Sequence, residues 1–193
     1  PALVPLPEIL FSGVGPDRPA RPHEPIFPLP ESITGQSVAT KLQALREEMR
    51  KQQASAFVAT MLDEVAWLLN LRGNDVPFNP VFFAFAIITQ DACLFYVDES
   101  QLSEDARKHL GSQVTVRPYA SFYTDLAALK QRVLIGKRAS WAVYDALGAE
   151  NAHIVRSILV DQKSIKNPVE LDGFREAHLR DGAALVSFFA WLE

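Results

Sequence analysis

Apolar and polar positions follow two patterns along residues 37–166, one typical of helices and the other of strands. From Val38 to Met49, apolar residues recur at i, i+4, i+7 and i+11, which is the spacing of one helix face. Ser37 stands just before this face and is a good N-cap. Charged residues, Lys41 among them, occupy the other positions, and we expect them to form a solvated surface.

The stretch from Leu62 to Ile88 changes its pattern twice. Apolar residues at i, i+3, i+4 and i+7 predict a short helix from Leu62, and Asp63 and Glu64 suit its first turn. A glycine and two prolines then predict a loop. Val81–Ile88 is a continuous run of apolar residues, many of them β-branched or aromatic, and this predicts a strand buried on both faces.

The remaining segments continue the alternation. The apolar runs 81–88 and 92–97 are close enough along the chain to pair as an antiparallel hairpin. Further strands are predicted at 56–61, 114–116, 132–135 and 152–157, and further helices at 103–110, 122–131, 140–147 and 158–165. This order of elements predicts an α/β domain in which a mixed sheet of about six strands is flanked by helices.

The chain has different patterns at its two ends. Proline is frequent in the first 30 residues, as in PDRPARPHEPIFPLP, so residues 1–36 are predicted to form an extended linker. A proline-rich ligand for a recognition domain is the alternative. At the other end, Asn167, Pro168 and Glu170 form a helix-start signature. The helix that follows carries an apolar stripe over residues 185–192, which we expect to need cover.

Composition narrows the classes of function. The net charge is −4 and 48% of the residues are hydrophobic, while no basic cluster with interleaved aromatics indicates nucleic acid binding. No apolar run reaches the ~20 residues of a membrane span, and the N-terminal residues lack the features of a signal peptide. Cys93 is the single cysteine and is predicted to be a buried, inert thiol. We therefore expect a cytoplasmic protein, and the missing initial Met indicates a piece of a longer one.

The loop that follows the Leu62 helix concentrates polar side chains that could bind another group. Asn70, Arg72, Asp75 and Asn79 are the candidates for a surface that faces a substrate or a neighbouring domain. The alternative is purely structural: Arg72 and Asp75 pair with each other, and the asparagines satisfy the backbone of the turn.

Other chemistry has little support in the sequence. The four histidines, at positions 23, 109, 153 and 178, are scattered without the spacing of metal ligands. Asp63 and Glu64 are neighbours on a helix, so their side chains point apart and form a poor acid–base pair. No nucleophile elbow or phosphate loop is present. We therefore assign no catalytic residue and no metal ligand to this chain.

The stretch LDEVAWLLNLRGNDVPFNPVFFAFAII closely resembles the aminopeptidase P family, the eukaryotic-type Xaa-Pro aminopeptidases. That family has two related N-terminal α/β domains and a C-terminal pita-bread metallopeptidase domain. The resemblance implies that residues 1–36 link to a preceding first domain, and that residues 37–166 are the creatinase-type middle domain. Residues 167–193 would then be the first helix of the catalytic domain.

The resemblance also implies a function. Aminopeptidase P enzymes remove the N-terminal residue from peptides with proline in second position, usually with two manganese ions. Their ligands, two Asp, one His and two Glu, correspond to positions beyond residue 193, so no cofactor is expected in this chain and two manganese ions are expected in the full-length parent. The chain alone should be inactive.

Two functional hypotheses follow. In the first, the chain is a non-catalytic domain that positions its own catalytic domain, limits substrate access and supports a homodimer, with the loop at residues 70–80 facing the catalytic cleft. In the second, it is a stand-alone, catalytically inactive module that binds a peptide or a protein.

Overall fold

Six strands form a mixed sheet at the centre of the molecule, which we describe from a computed structural model over residues 19–193. The strands are β1 Phe27–Pro28, β2 Ala56–Ala59, β3 Leu71–Arg72, β4 Ala84–Thr89, β5 Cys93–Val97, β6 Thr115–Pro118, β7 Val133–Gly136 and β8 Ala152–Val155. The helices are α1 Glu31–Thr34, α2 Val38–Lys51, α3 Leu62–Leu68, α4 Glu104–Leu110, α5 Phe122–Ala128, α6 Trp141–Leu147, α7 Ile158–Ser164 and α8 Pro168–Leu192. The predicted fold class, an α/β domain with a six-stranded mixed sheet and a C-terminal helix, is confirmed.

Strand β2 lies inside the sheet, whose order is β6-β5-β4-β2-β7-β8. It pairs antiparallel with β4 and parallel with β7. Strands β4 and β5 form the predicted antiparallel hairpin, while the outer pairs β5–β6 and β7–β8 are parallel. The sheet therefore changes from antiparallel to parallel pairing at β2, and β2, β7 and β8 run side by side in one direction.

Helices cover both faces of this sheet. Helices α2, α3, α4 and α7 pack on one face together with Phe57 and Phe95. Helices α5 and α6 pack on the other face with Val58 and Tyr96. Because successive residues of a strand point to opposite faces, a strand buried on both faces must be apolar throughout. This explains why β4 lies within a continuous apolar run, from which a strand buried on both faces was predicted.

Two predicted boundaries differ from the structure by three residues. Strand β4 begins at Ala84 and not at Val81, because the chain before it binds a loop instead of a neighbouring strand. The N–H of Asp75 donates to the Val81 carbonyl at 3.1 Å, and the N–H of Phe83 donates to a carboxylate oxygen of Asp75 at 3.0 Å. Helix α5 ends at Ala128, so the predicted helix over 122–131 is three residues too long.

The proline-rich segment packs on the domain from Ile26 onward. Ile26 is fully buried, and its N–H donates to the Gln101 carbonyl at 2.8 Å. Strand β1 pairs antiparallel with β3, and helix α1 follows it. Residues 1–36 were predicted to form an extended linker, and residues 26–36 of this segment pack on the domain instead. Positions 1–18 lie outside the described residues.

Helix α8 starts as the sequence predicts and then runs along the surface. Asn167 and Glu170 form a complete capping box, with a proline in the first turn. The helix is 25 residues long and none of its residues is buried. Its apolar residues are thus without cover in the part of the chain that the structure describes.

Candidate functional site

Asn70, the first of the candidate site residues, is an internal connector. It is 1% exposed and has a positive φ of 51°, a conformation that asparagine tolerates better than most residues. Its side-chain oxygen accepts from Lys41 Nζ at 2.6 Å, and its amide donates to the Gln36 carbonyl at 2.8 Å. The Asn70 side chain therefore joins α2 to the segment just before α2. It does not bond the backbone of its own turn, which was the structural alternative.

Asp75 holds the N-terminal segment against the loop. It is 2% exposed, and its carboxylate accepts from the Glu24 N–H and the Phe83 N–H, each at 3.0 Å, and from Gln101 Nε2. Such bonds offset the cost of burying a carboxylate. No bond links Asp75 to Arg72 in the described residues, so the predicted pairing of these two side chains is wrong.

Arg72 is half-buried and faces helix α8. One terminal guanidinium nitrogen donates to the Ala66 carbonyl at 2.9 Å and to the Leu71 carbonyl at 2.8 Å. Burial lowers the pKa of Arg72 and the Glu170 carboxylate opposes this shift, so the guanidinium remains charged at neutral pH. Arg72 lines a cavity of about 520 Å³ between the domain and α8.

Asn79 lies at the exposed tip of the loop. It is exposed, and the Val81 N–H donates to its carbonyl at 2.7 Å. Phe78 beside it is fully exposed and also has a positive φ, of 62°. The four candidate residues are therefore not gathered at one site: two are buried connectors, one faces α8, and one lies at a loop tip.

Lys41, which was expected on the solvated face of α2, is in fact buried, with an exposure of 2%. Its Nζ lies 4.0 Å from the centroid of the Trp67 ring, and it donates to the Trp67 carbonyl at 2.9 Å as well as to Asn70. Burial lowers the pKa of Lys41 to about 8; the Glu170 charge raises it and the Arg72 charge lowers it. The prediction failed because Lys41 directly precedes Leu42 and borders the apolar face, where carbonyl and aromatic partners replace water.

A chain of hydrogen bonds continues from Trp67 into helix α8. Trp67 Nε1 donates to a carboxylate oxygen of Glu170 at 3.1 Å, and the other oxygen accepts from the Asn167 N–H at 3.0 Å. The Asn167 amide donates to the Thr34 carbonyl at 2.8 Å. The first turn of α8 is therefore fixed to both α3 and α1.

The cavity next to this chain of hydrogen bonds is rich in cations. The charged side chains that line it are Arg72, Lys163, Lys166, Glu170 and Arg180. Trp67, Phe174 and Ile33 supply apolar surface. Lys163 is paired with Asp63 at 2.6 Å. The three other cations and one carboxylate around an aromatic wall suit an acidic or carbonyl-bearing group, and the planar guanidinium of Arg72 can bind such a group in a fork geometry.

Other chemical groups are held in structural roles. Among residues 19–193, no group of three or more His, Cys, Asp or Glu side chains is placed to hold a metal ion, so these residues do not fit a two-metal centre. Cys93 is buried as predicted, and burial raises the pKa of its thiol to about 12, which keeps it protonated at neutral pH. His109 contacts the Leu69 carbonyl at 3.0 Å through Nε2.

Within the described part of the chain, no helix has both the length and the apolar character needed to cross a membrane.

Comparison with known proteins gives consistent matches. The family model described as "Creatinase/Prolidase N-terminal domain" matches residues 17–170. The chain is 51% identical over 200 residues to a Laccaria bicolor protein named "Probable Xaa-Pro aminopeptidase P", which covers 99% of this chain and 31% of that protein. A Leptosphaeria maculans protein of the same name is 46% identical over 190 residues, covering 92% of this chain and 31% of that protein.

A solved structure matches nearly the whole chain. It is the X-prolyl aminopeptidase of Caenorhabditis elegans, described as a cytosolic enzyme with a di-nuclear active site. The TM-score is 0.93 at 32% sequence identity, and the match covers 98% of this chain and 32% of the C. elegans enzyme. The chain thus spans about a third of the length of the relatives that it matches.

Proposed function

The chain belongs to the creatinase/prolidase N-terminal domain family, and we propose that it is the non-catalytic middle domain of a Xaa-Pro aminopeptidase. The whole enzyme would remove the N-terminal residue from peptides with proline in second position, with two manganese ions held outside this chain. Similarity to aminopeptidases over nearly all of this chain, but over only 31% of their length, supports this proposal. We further propose a cytoplasmic location, like that of the C. elegans relative.

The observation that carries this proposal is the geometry of α8. Its first turn is bonded to the domain through Trp67 and Glu170, whereas its second half is exposed throughout. Phe188, Phe189 and Trp191 are 50%, 56% and 77% exposed. A large apolar surface of this kind marks an interaction site. Since α8 continues directly from the domain, we propose that its occupant is the catalytic domain of the same polypeptide, with residues 167–193 as its first helix.

In this arrangement the domain has two tasks. The fixed first turn of α8 sets the orientation of the catalytic domain. The cation-lined cavity beside it has Arg72 on its wall. In this proposal the cavity would lie where the two domains meet, and it would restrict and orient the acidic or carbonyl groups of a peptide. Of the four candidate site residues, the proposal retains Arg72 as the one that faces the catalytic domain. The homodimer implied by the family resemblance completes the proposal.

Kinetics of the complete enzyme test the role of Arg72. In Arg72→Ala we expect KM for an Xaa-Pro peptide to rise by roughly tenfold with little change in kcat, because a binding contact and not a reacting group is removed. Arg72→Lys should give an intermediate KM, since it keeps the charge and loses the fork. Asn79→Ala, at the exposed loop tip, is the matched control and should leave KM unchanged.

A folding control and two possible results complete the test of the role of Arg72 and of the non-catalytic role of the chain. Circular dichroism of Arg72→Ala has to match the parent enzyme, because the substitution also frees two backbone carbonyls. An unchanged KM in a folded variant would remove Arg72 from the proposal. Turnover of an Xaa-Pro peptide by the 193-residue chain itself, with or without manganese, would contradict the non-catalytic role.

A further inference from the structure

A second cavity lies at the carboxyl ends of the three parallel strands. It has a volume of about 260 Å³ and lies apart from the cavity against α8. The loops that follow β2, β7 and β8 form its walls. Its polar lining residues are Thr60, Glu64, Lys137, Arg138, Arg156 and Ser157.

The position of this cavity follows from the topology of the sheet. Helix α3 follows β2 and packs on one face, whereas α6 follows β7 and packs on the opposite face. Since β2 and β7 are parallel neighbours, the chain leaves them in opposite directions and opens a crevice between them. Ligands of open α/β sheets bind in such crevices outside the carboxyl ends of the strands.

Glu64 lines the cavity and retains capacity to bind another group. It is 4% exposed, and one carboxylate oxygen accepts from Ser157 Oγ at 2.9 Å. The other carboxylate oxygen of Glu64 makes no hydrogen bond with the described residues. Burial and the neighbouring Asp63 charge raise the pKa of Glu64, while the Ser157 hydrogen bond and the charges of Lys163 and Arg138 act against this shift. This second oxygen is not among the fully buried, unpaired side-chain atoms of the described residues, so it is open to the cavity and can accept from a group that enters it.

The remaining lining is cationic. Lys137 and Arg138 are exposed and form no ion pair with the described residues. Arg156 is already paired with Asp161 at 2.6 Å. The cavity thus has one acidic group inside and two available cations beside it.

We propose that this cavity binds a small zwitterion of the α-amino acid or dipeptide class, with its ammonium group at Glu64 and its carboxylate at Lys137 and Arg138. A simple anion fits less well because it would meet the buried carboxylate, and a simple cation would meet the two basic side chains. The volume is below the 300–1,000 Å³ that is typical of drug-sized ligands, which favours a small molecule.

Calorimetric titration of the 193-residue chain with three matched probes tests this proposal. L-Alanine carries both charged groups, N-acetyl-L-alanine lacks the ammonium and L-alaninamide lacks the carboxylate. We expect saturable binding of L-alanine, or of L-alanyl-L-alanine, and at least tenfold weaker binding of both blocked forms. Glu64→Gln should weaken L-alanine binding roughly 10- to 100-fold, since it removes a charge-assisted hydrogen bond.

Two variants separate the site from general effects of charge and fold. Lys137→Ala/Arg138→Ala changes exposed side chains, so it keeps the fold and should weaken binding at least tenfold. Lys108→Ala, an exposed lysine on α4, should bind as the parent does. The proposal is overturned if neither L-alanine nor L-alanyl-L-alanine binds the folded parent. It is also overturned if inorganic phosphate displaces L-alanine and the affinity for phosphate is the same in the parent and in Glu64→Gln.

Discussion

The surroundings of Lys41 decide the charge of this side chain. A lysine with three favourable partners can be buried, but its charged form still loses the hydration that bulk water provides. The Asn70 oxygen, the Trp67 carbonyl and the Trp67 ring compensate for part of this loss. The result is a pKa of about 8, against an ordinary value of 10.5.

The lowered pKa of Lys41 predicts that folding stability rises with pH over a defined range. Below about pH 8 the side chain is charged in both states and its desolvation cost is fully present. Between about pH 8 and 10.5 only the unfolded chain binds the proton, so stability rises and then levels off. We expect the free energy of unfolding of the parent, relative to Lys41→Met, to increase by about 3 kcal/mol from pH 7 to 10.5.

Urea denaturation at a series of pH values measures this effect. Lys108→Met, at an exposed lysine, is the control and should show no such trend relative to the parent. A difference between the parent and Lys41→Met that stays constant with pH would show that Lys41 has an ordinary pKa.

At the residue scale, the sequence predicted burial correctly where the type of the side chain and its neighbours in sequence both indicate the same environment. Cys93 within an apolar run is buried as predicted. Lys41 was assigned to a solvated position because charged residues on a helix usually lie there. Its burial depends on Trp67, and the burial of Glu64, which was predicted only to suit the first turn of its helix, depends on Ser157. The Ser157 hydroxyl comes from a segment 93 residues away, so no local pattern indicates it.

At the element scale, long periodic segments were predictable and short ones were not. Helix α2, the β4–β5 hairpin and the capped start of α8 carry strong local signals, and all three are confirmed. Strand β1 contains two residues, one of them a proline. It pairs with β3 because the fold brings the two together, and Leu29 N–H donates to the Asn70 carbonyl at 2.8 Å.

The junction of α1 and α8 predicts coupling between Gly35 and Asn167. Gly35 has a φ of 69°, and a Cβ atom there would collide with the Asn167 side chain. We expect Gly35→Ala to destabilise the fold by about 2–3 kcal/mol, from the left-handed backbone and the collision together. Asn167→Ala alone should cost about 1 kcal/mol through loss of the cap.

A double-mutant cycle by urea denaturation measures this coupling. In Asn167→Ala the collision is absent, so adding Gly35→Ala should cost only about 1 kcal/mol for its backbone. Additive effects of the two substitutions would indicate that the side chains are independent.

At the scale of the whole molecule, the main feature is the contrast between a sheet that is covered on both faces and a helix, α8, that is not covered. The sheet has helices on both faces, whereas α8 presents its apolar residues to solvent. Local patterns could predict that α8 forms and that its stripe needs cover. They could not predict that its first turn is fixed through Trp67, because that contact spans 103 residues.

The uncovered face of α8 predicts self-association of the 193-residue chain. We expect Phe189→Ser/Trp191→Ser to lower the mean molar mass measured by light scattering at equal protein concentration, because it removes apolar surface while leaving the capping box intact. Ile154→Ser, at an apolar residue of β8 that is 56% exposed, is the matched control. A parent chain that stays monomeric at every concentration tested would show that this surface is not adhesive by itself.

The central position of β2 in the sheet has a consequence for how the chain folds during its synthesis on the ribosome. Ala56 is paired on one side with Thr89 and on the other with Val133, so its two partners emerge from the exit tunnel at different times. One edge of β2 is covered soon after the hairpin is translated. The other edge stays open until β7 has been made, and closing that longer loop carries the larger entropic cost. This edge is therefore a segment of the nascent polypeptide that can pair wrongly until β7 emerges.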